Sequence, residues 1–465
     1  MLFLVLCVTF VSCQKKEEII LNKGDQSVSP GDNTTDKDST GTDSTGSGKV
    51  TPPANPTECA YTIKTSESVV DGSKLNLPAG SVVCIEAGER GPLYLKNFKG
   101  EEGRPIVFVN SSKGQTIFKG TGSYSLKVGY CKNIRITGTG SSNKYGILID
   151  GGHMGITLPE LTTNYEIDHV EVKNCGFAGI MGKTDPNCDS ETWRNNFVMR
   201  GVSLHHNYVH DVKGEGFYIG NSFYTGRSES CGTVYPHEII GLRVFKNITK
   251  NTGCEGIQVG CAIIDCEIYD NSIENPGIDP FAAYQNNGLQ IGAGTGGKCY
   301  NNIIKNAPGN GLIVNGVGGN MIYNNVILNS GAIGIFCDER TEIKEGFSFI
   351  NNTIVNTGSD GIKLYSEQVP YNHVINNIII NPKTGKYINA SSEVKVTDQN
   401  NYFSDDISLV KFSNPGAGNY TLSGGSPAIN KGANTSSYGI INDFNGTLRP
   451  YGGAYDIGAY ESLVK

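Results

Sequence analysis

The sequence predicts an all-β solenoid built from short stacked coils, and three observations predict it. First, seven segments carry an Asn followed four residues later by Asn or Asp: Asn207 with Asp211, Asn247 with Asn251, Asn271 with Asn275, Asn302 with Asn306, Asn325 with Asn329, Asn352 with Asn356 and Asn377 with Asn381. Second, from Asn247 to Asn377 the leading Asn recurs at intervals of 23 to 31 residues. Self-similarity at such a period marks a repeat architecture, and a coil of about 24 residues is too short for helical repeats of about 33 to 47. Third, the texture between the Asn positions is strand-like. Runs such as Asn377-Ile378-Ile379-Ile380 and Gly311-Leu312-Ile313-Val314 are rich in β-branched residues and broken by Asn/Gly turns, with no 3.6-residue period.

Stacking sets equivalent residues about 4.8 Å apart along the axis, so each Asn amide can bond the Asn above and below and leave no buried polar group alone. With this pattern the stretch from Cys59 to Asn401 resembles the right-handed parallel β-helix of the pectate-lyase superfamily. The resemblance implies parallel sheets and accounts for the composition, 61 Gly in 465 residues, one Trp and only 18% charged residues.

The ends differ in kind from this middle. Residues 1–13 read as a lipoprotein signal: the apolar run Leu2 to Ser12 is too short to span a bilayer, and Phe10-Val11-Ser12-Cys13 resembles the lipobox of bacterial lipoproteins, which implies lipidation at Cys13. The following Gln14-Lys15-Lys16-Glu17-Glu18 resembles the surface-export signal of Bacteroidetes lipoproteins, implying an outer-membrane, lipid-anchored, cell-surface protein that meets the membrane only through that anchor. Residues 14–58 form a tether too rich in Ser, Thr, Gly and Asp to bury a core. Residues 402–465, with Gly424-Gly425-Ser426-Pro427 and Asp456-Ile457-Gly458-Ala459-Tyr460-Glu461, match a segment common on secreted bacterial β-helix proteins and are expected to cap the last coil. Of 13 cysteines, eleven remain once the signal and the lipidated Cys13 are set aside. Cys59 with Cys84 and Cys188 with Cys231 are the candidate bridges, and no Cys/His spacing suggests zinc.

Aligning the coils on the Gly before the strand yields two columns. The residue preceding that Gly reads Ala178, Glu215, Glu255, Asn287, Asn310, Ile333 and Asp360; the outward strand residue reads Met181, Tyr218, Gln258, Gln290, Ile313, Phe336 and Lys363. Polar character gathers in the middle coils, where Glu215, Tyr218, Glu255, Gln258, Asn287 and Gln290 make one candidate face. Glu215 and Glu255 on successive coils would stand about 5 Å apart, close enough to share a proton, hold a cation or flank a substrate. The competing reading is that acidic residues before Gly are simply good turn formers. Long insertions after Gly182 and Gly220 bring Trp193, Tyr224 and Tyr235, which either stack on sugar rings or pack the loops down. Among seven histidines, His205 aligns with Phe245, Tyr269, Tyr300 and Tyr323 and reads as a stacking residue; His210 and His237, with Lys183, are acid or base candidates.

The family resemblance implies a polysaccharide-active protein, and its alginate-lyase and chondroitinase relatives imply a Lys base, an Arg acid and an Asn/Glu/Glu calcium site. Glu215, Glu255 and Asn287 match the metal ligands, whereas no Lys/Arg pair lies on the same column, and the polygalacturonase motifs are absent. Tyr218 is then the base expected to take the proton α to a uronate carboxylate. The leading expectation is a polysaccharide lyase acting by β-elimination. A glycoside hydrolase using Glu215 and Glu255, a uronate epimerase, and a non-catalytic glycan-binding or adhesive protein remain open beside it. The partner expected is a polysaccharide, taken up by a monomer; a net charge of −7 excludes nucleic acid as a natural partner.

Overall fold

The structure, a computed structural model, describes residues 58–341, 345–365 and 371–464. The signal with Cys13 and nearly all of the tether lie outside the described residues. From Tyr61 onward the chain winds through three parallel sheets in fixed order. Among the described residues sheet I has 13 strands, from Tyr61–Ile63 to Val396–Gln399; sheet II has 12, from Gly88–Arg90 to Tyr402–Ser404; sheet III has 12, from Val69–Asp71 to Ile388–Ala390. No helix of the described residues is long and apolar enough to cross a membrane.

The Asn-x-x-x-Asn phrase is explained by two amide columns on either side of sheet II. The leading Asn sits in the turn from sheet I to sheet II, preceded by a residue with positive φ, as at His206 (54°), Asn301 (53°) and Asn376 (57°). Its side chain is buried, and the column runs without a break from Asn207 through Asn247, Asn271, Asn302, Asn325, Asn352 and Asn377 to Asn401. At Asn302, Nδ2 donates to Asn325 Oδ1 (3.0 Å) and Ile268 O (2.9 Å), while Oδ1 accepts from the Asn271 backbone N–H (3.1 Å). The second Asn ends the sheet II strand in the left-handed region, which Asn tolerates better than most residues. There Asn251, Asn275, Asn306, Asn329, Asn356 and Asn381 each donate back to the preceding coil, so the two columns run in opposite directions.

The Gly that follows is a matter of space. A Cβ on Gly288, Gly311 or Gly334 would stand 2.3–2.5 Å from Cγ2 of Ile304, Ile327 or Ile354, which point inward from sheet II. Inside the coils Ile, Val, Leu and Phe from all three sheets form one continuous core. Outside sheet I the expected stacking residue is found in place: His205, Phe245, Tyr269, Tyr300 and Tyr323 stack ring on ring at 4.7–4.9 Å.

Both candidate bridges form, Cys59–Cys84 and Cys188–Cys231, and seven other described cysteines are buried. The C-terminal segment takes a different position from the expected cap. It lies along the flank of the last coils, with Ile457, Ala459 and Tyr460 packed on Val326, Leu328, Val355, Ile378 and Ile380. Asn324, Asn351, Asn376 and Asn400, the positive-φ residues of four successive turns, bond its backbone at Asn442, Asp456, Ala433 and Lys431. Arg449 and Glu461 pair within it at 2.7 Å, both fully buried.

The columns differ in burial, and stability should follow. Asn302→Ala strands several buried backbone partners and is expected to cost about 2–4 kcal/mol in urea unfolding, whereas Asn306→Ala on the exposed column should cost under about 1 kcal/mol. Equal costs would remove the inner column from its place as the principal polar constraint.

Candidate active site

Sheet III carries the candidate face. Its pairings align Met181 with Tyr218, Gln258, Gln290, Ile313, Phe336 and Lys363, the outward column expected from the repeat. Phe217 and Ile219 are buried in the core, which turns Tyr218 outward between them. Glu215 and Glu255 stand on successive coils: the Gly216 backbone N–H donates to the Glu255 carbonyl (3.0 Å), as Gly179 donates to that of Glu215 (2.9 Å).

The second column is a partial amide ladder. Asn310 donates to Asn287 Oδ1 (3.0 Å), and Asn287 Nδ2 donates to Glu255 Oε1 (2.8 Å). At Glu215 it breaks. Both carboxylate oxygens of Glu215 and Oε2 of Glu255 are buried without a hydrogen-bond partner, and both residues are 0% exposed. Burial, reinforced by the Glu255 charge and opposed by Lys183, pushes the Glu215 carboxyl from its ordinary 4.5 up to about 7. Burial likewise lifts Glu255 to about 7, against the Asn287 hydrogen bond.

Lys183 follows the sheet III strand Ile180–Gly182, and its ammonium lies 4.7 Å from the centre of the Tyr218 ring and 2.7 Å from Asp185 Oδ1. Burial draws the Lys183 pKa down, but Tyr218, Asp185 and Glu215 outweigh it and hold the side chain above the ordinary lysine value, so it is a cation at neutral pH. Burial raises the Tyr218 phenol against the opposing pull of Lys183 and of Ser222, whose hydroxyl lies 2.8 Å from Tyr218 Oη. Lys183, Tyr218, Glu215 and Glu255 thus come together with Asn287, Gln258 and Gln290.

Other candidates are placed elsewhere or used otherwise. His210 stands on the sheet II strand Tyr208–Val212, around the coil from Tyr218, bound to Glu171 (3.2 Å) and Asp211 (2.6 Å). His237 is fully buried, lowered by burial to about 4, and its Nε2 accepts from the Thr184 backbone N–H (3.1 Å); it is a fixed neutral acceptor rather than an acid or base. Among the loop aromatics, Trp193 donates to the Asn187 carbonyl within its own loop. Arg194 lies 3.9 Å from the centre of the Tyr224 ring and 5.4 Å from that of Tyr235, so these two rings clasp a guanidinium and tie the insertions together. The pattern missed Ser222 and Asp185, whose roles depend on loop conformation, and Phe177, which lies edge-on to Tyr218 with ring centres 6.3 Å apart.

The expected calcium set fits only in part. The unpaired oxygens of Glu215 and Glu255 are hard donors suited to Ca²⁺. Asn287 is not suited: its Oδ1 is taken by Asn310, and its Nδ2 faces Glu255 and the Tyr284 carbonyl. A separate group, Glu166, Asp168 and His205, has donor atoms within 4.8 Å of one another. Arg135 already occupies it, at 3.1 Å from Glu166 and 2.8 Å from Asp168.

Fold and site define a class, a right-handed parallel β-helix with a polar face on one sheet, and the family model for the right-handed β-helix region matches residues 238–403. The chain is similar to a pectate lyase of solved structure (13% identity, covering 87% of this chain and 97% of that one, TM-score 0.45). It is also similar to an alginate lyase from a Paenibacillus species (13%, 74% and 100%, TM-score 0.40) and to the A-module of a mannuronan C-5 epimerase from Azotobacter vinelandii (13%, 70% and 88%, TM-score 0.32). At these identities the likeness is one of fold. No curated protein matches the chain by sequence.

The raised carboxyl of Glu215 makes stability depend on pH. Its proton is held more tightly in the folded state, so this contribution favours folding below pH 4.5 and is lost as pH rises through about 7. Glu215→Gln, neutral throughout, should match the wild type near pH 4 and exceed it by ~2–3 kcal/mol near pH 8 in the presence of chelator. Parallel curves of Tm against pH would show that the carboxyl is not desolvated.

Proposed function

We propose that the protein is a polysaccharide lyase acting on a uronate-containing glycan, with Tyr218 as the base and Lys183 as the cation that receives the uronate carboxylate. The observation that carries this reading is the Lys183 ammonium 4.7 Å from the Tyr218 ring centre, in a patch where Glu215 and Glu255 are both buried. An ammonium paired with the uronate carboxylate stabilises the carbanion character that develops when the α proton leaves. The Tyr218 phenolate takes that proton. The electron pair left on C5 forms the C4–C5 double bond, the C4–oxygen bond breaks, and the leaving oxygen takes a proton from the phenol just formed. Since burial holds the Tyr218 pKa above its ordinary 10, the phenolate is a minor species at neutral pH and turnover should climb towards alkaline pH.

Glu215 and Glu255 are taken to be a pair that holds a proton or, at higher pH, a Ca²⁺ ion that would help offset the charge of a polyanionic substrate. The sequence around Cys13 supports attachment of this enzyme to the outer membrane by lipid, facing the medium. The complete burial of both carboxylates favours a second reading, a non-catalytic glycan-binding protein, over a hydrolase, which needs both groups at the substrate.

Incubation of the full-length chain with uronate and neutral polysaccharides, following ultraviolet absorbance of unsaturated ends together with reducing ends, separates these readings. The lyase reading expects both signals on a uronate glycan. It also expects Tyr218→Phe to lower kcat by about 10³-fold or more with glycan binding kept, and Lys183→Ala to raise KM as well as lower kcat. Reducing ends alone would indicate hydrolysis, and silence in both channels with binding intact would indicate the binding protein.

A further inference from the structure

Residues 275–288 make an excursion between the sheet II strand Ser272–Glu274 and the sheet III strand Leu289–Ile291. The excursion is firmly held. Backbone N–H groups of Gly277, Ile278 and Asp279 donate to the carbonyls of Cys254, Thr252 and Gly253 on the preceding coil, and Asp279 pairs with Lys213 at 3.5 Å. Asn287, whose amide bonds Glu255, donates from the same nitrogen to the Tyr284 carbonyl (2.7 Å), and Tyr284 is kept at a φ of 66°. A tyrosine in that region is costly unless its surroundings fix it.

This rigid loop nevertheless presents apolar rings to solvent: Tyr284 is 89% exposed and Phe281 59%. Phe281 meets Phe177 with ring centres 5.6 Å apart, Phe177 stacks on His153 at 5.6 Å, and Phe177 stands edge-on to Tyr218. An aromatic strip therefore leads from Phe281 through Phe177 to the proposed base Tyr218, which shares its outward column with Gln258 and Gln290 on the next two coils. Flat rings beside the half-buried Gln290 amide match the two aspects of a pyranose, its C–H face and its hydroxyl rim.

We propose that Phe281 and Tyr284 form a sugar-stacking subsite that seats a glycan residue next to the one at Tyr218. The inference rests on the reading of a glycan-active protein and names where the chain lies: across the turn between sheets II and III rather than over the Arg194 loops. Phe281 and Tyr284 are positioning residues, since the bond is broken at Tyr218.

The test is calorimetric titration of the full-length protein with tetrasaccharides of mannuronate, galacturonate and glucose. The wild type is expected to bind at least one, with Phe281→Leu and Tyr284→Leu, which keep apolar bulk but lose the ring, weakening it about tenfold or more. Tyr284→Phe, which keeps the ring, should bind like the wild type, and an unchanged Tm in the Tyr284 variants separates lost stacking from lost fold. Leucine variants that bind normally, or a wild type that binds none of the three, would overturn the subsite. The lyase reading fails separately: absent turnover with ring-dependent binding leaves the subsite standing, whereas ring-independent binding with turnover leaves the lyase standing alone.

Discussion

The coil stack depends on the requirement that the buried amides of its turns find their partners one coil away. A parallel stack repeats about every 4.8 Å, which fits one amide bonding the next. The inner Asn column meets that requirement over eight successive turns, and with it the turns can be buried. A buried amide without a partner would cost about 1–3 kcal/mol, so the column fixes the register, and the register in turn fixes which side chains share a face.

The candidate site is one place where this rule is broken, and there by carboxylates. On the column beside sheet III the ladder runs from Asn310 to Asn287 to Glu255 and then meets Glu215, which has no donor to accept from. Carboxylates cannot ladder as amides do, because an ionised carboxylate accepts and never donates. Two of them on adjacent coils place like charges together in a buried setting. The same scaffold that satisfies the inner Asn column thereby creates a place where a proton, a cation or an ammonium such as that of Lys183 is wanted.

Much of this was legible from the chain and some was not, for a physical reason. Features that repeat with the coil, the Asn columns, the outward line from Met181 to Lys363 and the His205 to Tyr323 ring stack, follow from counting residues because the parallel register is strict. Features made by chain leaving the stack do not follow. The pairing of Lys183 with Tyr218, and of Arg194 with Tyr224, depends on how the insertions fold back. Signals existed nonetheless. The step from Asn271 to Asn302 is 31 residues where the next is 23, which marks the loop bearing Phe281 and Tyr284. The doublets Asn324-Asn325, Asn351-Asn352 and Asn376-Asn377 mark turns whose first Asn binds the C-terminal segment, although the periodic reading assigned that segment to the end of the stack.

The charges around Tyr218 decide what state the site rests in. With Glu215 and Glu255 ionised, the Lys183 ammonium, 2.7 Å from Asp185 Oδ1, would stand near two wholly buried charges. Desolvation penalises each buried charge by several kcal/mol unless it is paired, so burial favours the protonated form of the two glutamates. Burial lifts both carboxyls to about 7, and the Glu255 charge adds to the rise at Glu215. On the proposed lyase reading, a polyanionic glycan would sharpen the demand, since its carboxylate would compete with Asp185 for the Lys183 ammonium.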